Sequence, residues 1–184
     1  MKTAFKEWAV VCSALGRGRS SLILRRGGIA DPDGAFHPGH GAFLLFPTRF
    51  HQSVDQLADW AREEQAAAPP DGSVTISLSA VAAGAWPVRD AASLARLRGL
   101  HAWSDAVAAE RLEREGDGPL WAVALRVAAL PRPLTLPMRP SYAGCRSWIE
   151  LEEEVVVTAA RPALDDAAFE TELRRVKSAL LLPL

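Results

Sequence analysis

Lysine is scarce in this chain. Of its 21 basic residues, all but Lys2, Lys6 and Lys177 are arginine. Arginine's planar fork suits phosphate and base-edge recognition, although an arginine- and alanine-rich composition is also what GC-rich coding produces. Excess charge is lacking as well. A net charge of −1 gives no global field to draw nucleic acid or a membrane surface, so any such site must be a local patch. Cysteine is nearly absent: Cys12 and Cys145 stand alone and build neither a disulfide framework nor a zinc site. No apolar run is long enough to span a bilayer, and the opening Met1-Lys-Thr-Ala-Phe-Lys-Glu-Trp lacks an apolar signal core. These features predict a cytoplasmic protein with reduced thiols and no membrane contact. The phosphate loop, the dinucleotide fingerprint, the Gly-x-Ser-x-Gly elbow and His-Glu-x-x-His are all missing. No cofactor is expected. A metal is not expected either: His37-Pro-Gly-His40 sets two imidazoles close together, but no Cys or carboxylate at ligand spacing completes a site.

What is present fits one domain over 1–184. With 49% hydrophobic and 23% charged residues, the chain is large enough for one buried core. Lys6 to Leu15 contains Trp-Ala-Val-Val-Cys and reads as a buried strand. Gly16-Arg-Gly-Arg reads as a turn and Ser21 to Leu24 as a second strand, which predicts a hairpin. Ala42 to Phe46 is a third strand, ended by Pro47. Ser53 is placed to cap a helix through Gln65. Val74 to Val81 alternates like a half-buried strand. Asp90 and Ser104 are placed to cap helices reaching about Leu100 and Glu115. Leu120 to Leu130 is a further strand, closed by Pro131-Arg-Pro. Ser141 to Ile149 is a short strand or loop. Asp165 to Leu181 is an amphipathic helix, either part of the core or an appended docking element carrying Phe169, Leu173, Val176 and Leu180.

The stretch from Ser20 to Thr48 carries the main functional signal. Arg25 and Arg26 end a strand beside Gly27 and Gly28, where backbone amides can approach a ligand and the guanidinium groups can fork onto phosphate. Arg49, His51 and Gln52 add donors after the next strand, and Phe50 is a stacking surface. Trp103, at the His101-Ala-Trp-Ser break, is the best stacking candidate among the six tryptophans. The alternative for each is structural: a charged surface turn, a strand-to-helix connection, a packed indole. Cys145, in Tyr142-Ala-Gly-Cys-Arg-Ser-Trp148, is a nucleophile only if a base lies near.

Four segments together resemble a bacterial family, the domain of unknown function 1802. They are Lys6-Glu-Trp-Ala-Val-Val, Leu22-Ile-Leu-Arg-Arg-Gly-Gly-Ile, Phe43-Leu-Leu-Phe-Pro-Thr with His51-Gln52, and Tyr142-Ala-Gly-Cys-Arg-Ser-Trp-Ile-Glu-Leu. The order of elements is also similar to the PUA-like group, its ASCH branch above all. Gly18-Arg-Ser-Ser-Leu-Ile-Leu-Arg25, Phe43-Leu-Leu-Phe and Trp121 to Pro133 stand where that group has its marked strands. This similarity implies an α+β fold, a mixed, partly closed β-barrel with three or four flanking helices. It also implies a nucleic-acid or modified-nucleotide ligand, RNA or DNA. Some ASCH proteins hydrolyse acetylated cytidine with a Lys, a Thr and a Glu. Here Arg19 and Ser20 or Ser21 stand in place of the Lys and Thr, and a permanently protonated Arg cannot serve as a base. Binding therefore stands ahead of catalysis. An enzyme on a small nucleoside-like substrate, using His51, Ser20 or Ser21 and Cys145, and a protein-interaction domain are the alternatives.

Overall fold

The computed structural model describes residues 1–26, 41–49, 53–64, 68–114, 118–144 and 146–181. The fold is α+β, built on one mixed sheet. Its strands are Thr3–Trp8 (β1), Leu22–Arg26 (β2), Phe43–Thr48 (β3), Ser73–Val88 (β4), Leu120–Pro137 (β5), Trp148–Glu150 (β6) and Arg161–Pro162 (β7). Its helices are Ala9–Gly16 (α1), Asp59–Arg62 (α2), Ala91–Arg96 (α3), Asp105–Glu113 (α4) and Asp166–Ala179 (α5). The strand order is β2-β5-β4-β3-β1-β6, with β7 also on β5. Among the described strands, β1 and β3 run parallel and the other pairs antiparallel.

The long hairpin of β4 and β5 curls the sheet. Its register shifts between Ile76 and Leu78 and again between Ala82 and Gly84, and such irregularities bend a strand and raise its twist. The bend is enough that Arg25, on β2 at one end of the order, reaches Glu7 on β1 near the other end. The sheet is thus a half-barrel whose two ends approach each other, bridged there by side chains.

Several expectations need correction. The first hairpin does not form. β1 passes directly into α1, β1 pairs with β3 and β6, and β2 pairs with β5. The run Ala9 to Leu15 is buried on nearly every side, so its helix carries no polar stripe, and a fully buried helix cannot be told from a buried strand by periodicity. Gly16-Arg-Gly-Arg instead closes α1. Gly18 has φ +67°, and the Arg19 N–H returns to the Ala14 carbonyl at 2.9 Å, a left-handed C-terminal stop. Pro47 does not end β3, because β4 pairs with β3 only at Phe43 and Leu44, and a strand tolerates proline where one side is unpaired. Pro131 and Pro133 do not end β5. They fall in the bulge between Ala129 and Leu134, outside the ladder.

The helix expected from Ser53 is only a 3-10 turn, Val54–Gln56, followed by the single turn of α2. Tertiary pairing overrides it: Ala58 donates to Ala102, Ser104 donates to Gln56, and Leu57 bridges Trp103. The expected caps at Asp90 and Ser104 are made, by acceptance from the Ser93 and Val107 N–H groups, whereas Ser53 makes no side-chain cap; Asp165 caps α5 by accepting the Ala168 N–H.

Candidate ligand pocket at the sheet gap

A pocket of about 490 Å³ opens where the two ends of the sheet meet. β1 supplies Lys6, Glu7 and Trp8. β2 supplies Arg25, and the end of β3 gives Phe46 and Thr48. α4 gives Arg111, and the segment before β6 gives Ala143, Gly144, Arg146 and Ser147. A second cavity, of about 510 Å³ beside α1, has Arg17 as its one charged lining residue among the described residues. The first is where the chemistry concentrates.

Glu7 is buried, at 3% exposure. Its Oε1 accepts the Trp8 N–H at 2.8 Å. Its Oε2 lies 3.6 Å from Nη1 of Arg25. Burial raises the carboxyl's proton affinity above the ordinary range, and the opposing pull of Arg25, the Trp8 N–H and Arg111 does not cancel it. Arg25 is itself fixed. Its Nη2 donates to Ser147 Oγ at 2.8 Å, and its guanidinium lies over the Phe5 ring at 4.6 Å. Lys6 Nζ donates to Gly144 at 2.9 Å and to Ala143 at 3.3 Å, and the Lys6 N–H donates to Ser147 at 2.8 Å. Cations from β1 and β2 thus pin the segment that forms the pocket's far wall. Arg111 lies 5.2 Å over the Trp103 ring, and Trp103 packs on Trp8 with ring centroids 6.4 Å apart.

The sequence candidates divide clearly. Arg25 lies in the pocket. Arg26, one residue on, points to the other face as strand alternation requires, and its Nη1 donates to the Arg111 and Leu112 carbonyls near the end of α4. Trp103 is 7% exposed, a packed wall behind Arg111. Arg49 is exposed and follows the pocket residue Thr48. Gly27, Gly28, His51 and Gln52 lie outside the described residues, as do His37, His40 and Cys145. Ser20 is buried, with Oγ 2.7 Å from the Leu100 carbonyl, and accepts the Leu22 N–H at 3.0 Å. It serves the backbone. Burial pushes the Cys12 thiol well up, which makes it unreactive.

Lys6, Glu7, Trp8 and Arg111 were not candidates in the sequence, and Arg146 stood out there only in the motif around Cys145. Lys6-Glu-Trp was one of the segments carrying the family resemblance, and that was the available signal.

The family model for the domain of unknown function DUF1802 matches residues 4–175. The chain belongs to the DUF1802 family. The pocket residues of this DUF1802 protein all fall within the matched span. No curated protein matches its sequence. Among solved structures, the DUF1802 chain is similar to a point mutant of ZmASCH from Zymomonas mobilis, at 16% identity and a TM-score of 0.47, covering 82% of this chain and 90% of that one.

Proposed function

We propose that this DUF1802 domain is a nucleotide-binding module of the PUA-like type its sequence resembles. It would hold one nucleotide, free or within an RNA or DNA strand, in the pocket at the sheet gap. One observation carries the reading: buried Glu7, paired with half-buried Arg25, lines a cation-rich pocket of about 490 Å³, within the roughly 300–1,000 Å³ range of small-molecule sites. Among the described residues, Lys6, Arg25, Arg111 and Arg146 line the pocket with one carboxylate, Glu7, a local excess of positive charge in a chain of net charge −1. Trp8, half-buried, offers an aromatic surface of the kind that stacks bases. Arg26, Gly27, Gly28, Arg49, His51 and Gln52 stay proposed ligand residues on their sequence alone, next in the chain to the pocket residues Arg25 and Thr48.

The test is fluorescence anisotropy with labelled single- and double-stranded RNA and DNA at low and moderate salt, with Arg146→Ala as the control because Arg146 is exposed. Saturable binding that weakens with salt, and is weakened about fivefold or more by Arg146→Ala as expected for a lost charged contact, supports the reading. Binding unaffected by the substitution places the polymer elsewhere and counts against it.

A further inference from the structure

Resting on that reading, we infer that Glu7 and Arg25 together read one edge of the bound base, with Glu7 Oε2 taking an N–H from the ligand and Arg25 giving one to the acceptor beside it. A structural ion pair in a protein interior closes to about 2.7–2.9 Å and satisfies both partners. This pair does not. Oε1 is satisfied by the Trp8 N–H at 2.8 Å, whereas the nearest Arg25 nitrogen stands 3.6 Å from Oε2. Among the described residues Oε2 receives no hydrogen bond, although the residue is 3% exposed and lines the pocket. Oε2 is not one of the enclosed side-chain atoms that lack a partner, so it is reached from the pocket, and there it can accept a ligand N–H.

Arg25 cannot close the gap without losing what holds it. Ser147 Oγ takes its Nη2 at 2.8 Å, and its Cζ lies over the Phe5 ring, 4.6 Å from the centroid. A guanidinium has five N–H donors, which leaves donors for a ligand acceptor. The ligand class is therefore a planar heterocycle with an N–H next to a carbonyl or ring nitrogen, the edge an amino-imine or imide nucleobase presents. The open carboxylate oxygen disfavours a simple phosphate or sulfate at the base of the pocket, where two negative groups would meet. The anionic part of a nucleotide falls instead to exposed Arg146 and to Arg111.

The test varies the ligand and leaves the protein intact. Calorimetry on the wild-type chain compares CMP with zebularine monophosphate and AMP with purine riboside monophosphate, pairs that differ by one amino group. UMP is compared with N3-methyl-UMP and GMP with N1-methyl-GMP. A nucleotide that binds, and loses about tenfold or more in affinity when its N–H is removed, supports the inference. In Glu7→Gln, checked for folding by circular dichroism, that ratio shrinks. Where the variant does not fold, the ligand pairs decide alone. Nucleotides that bind equally well with and without the N–H overturn this assignment while leaving the pocket reading in place. No binding by any nucleotide in the set overturns both.

Discussion

At the scale of the residue, burial outweighs local charge. Glu7 and Arg25 each look like exposed charges in sequence, yet the approach of β2 to β1 encloses the carboxylate. Removing one partner of a buried pair leaves the other without compensation. Arg25→Met is expected to destabilise the fold by about 3 kcal/mol, and adding Glu7→Leu is expected to restore most of that. Urea denaturation of the two single variants and the double variant measures the coupling. His101 supplies a second test. Burial lowers its pKa from 6.5 to about 4, and the opposing pull of Asp105 does not compensate. Between those values the unfolded chain binds a proton that the folded chain refuses. The contribution of His101 to stability is full above pH 6.5 and is lost as pH falls toward 4, by about 3 kcal/mol in all. In His101→Gln that part of the pH dependence disappears, as equilibrium unfolding at pH 4 and pH 7 would record.

At the scale of the element, turns and caps were legible in sequence and partners were not. Asp90 and Ser104 were readable as caps because a short acceptor before an apolar-periodic segment acts locally. Gly16-Arg-Gly-Arg was readable as a turn, but it ends α1 and does not join two strands. Gly18 is held at φ +67°, and a Cβ there would lie 2.6 Å from Leu164 Cδ2 and 3.1 Å from the Ala163 carbonyl. Gly18→Ala is therefore expected to destabilise by about 2 kcal/mol, read as a drop in Tm. α1 was hidden because its surface is apolar nearly all round. β5 was cut short in the sequence reading because Pro131 and Pro133 look like terminators, and only the pairing with β4 reveals the bulge that accommodates them. The pocket was half legible. Arg25 lies where a cation at a strand end was expected to act, whereas Glu7, Arg111 and Arg146 come from three other segments of the chain. Arg26 was paired with Arg25 by adjacency in sequence, and strand alternation separates them.

At the scale of the whole molecule, the sheet's incomplete closure makes the site. Among the described residues, two ends of a curled sheet approach without strand pairing between them, and charged side chains bridge them. α5 braces the β5 side. Its Phe169 and Val176 are buried at 4% and 1% exposure, and Arg126 lies over the Phe169 ring at 4.9 Å. Deleting residues 165–184 is expected to unfold the chain or lower its Tm sharply, since large buried apolar side chains contribute about 2–5 kcal/mol each. A folded, undiminished truncation would instead make α5 an appended docking element. The central claim concerns the gap itself, and chemical-shift mapping of the 15N-labelled chain with nucleoside 5′-monophosphates tests it most directly. The account predicts saturable shifts concentrated on the Trp8 indole, Gly144, Ser147 and the Arg25 side chain. Saturable shifts gathered on another face, or none with any of the nucleotides, would contradict it.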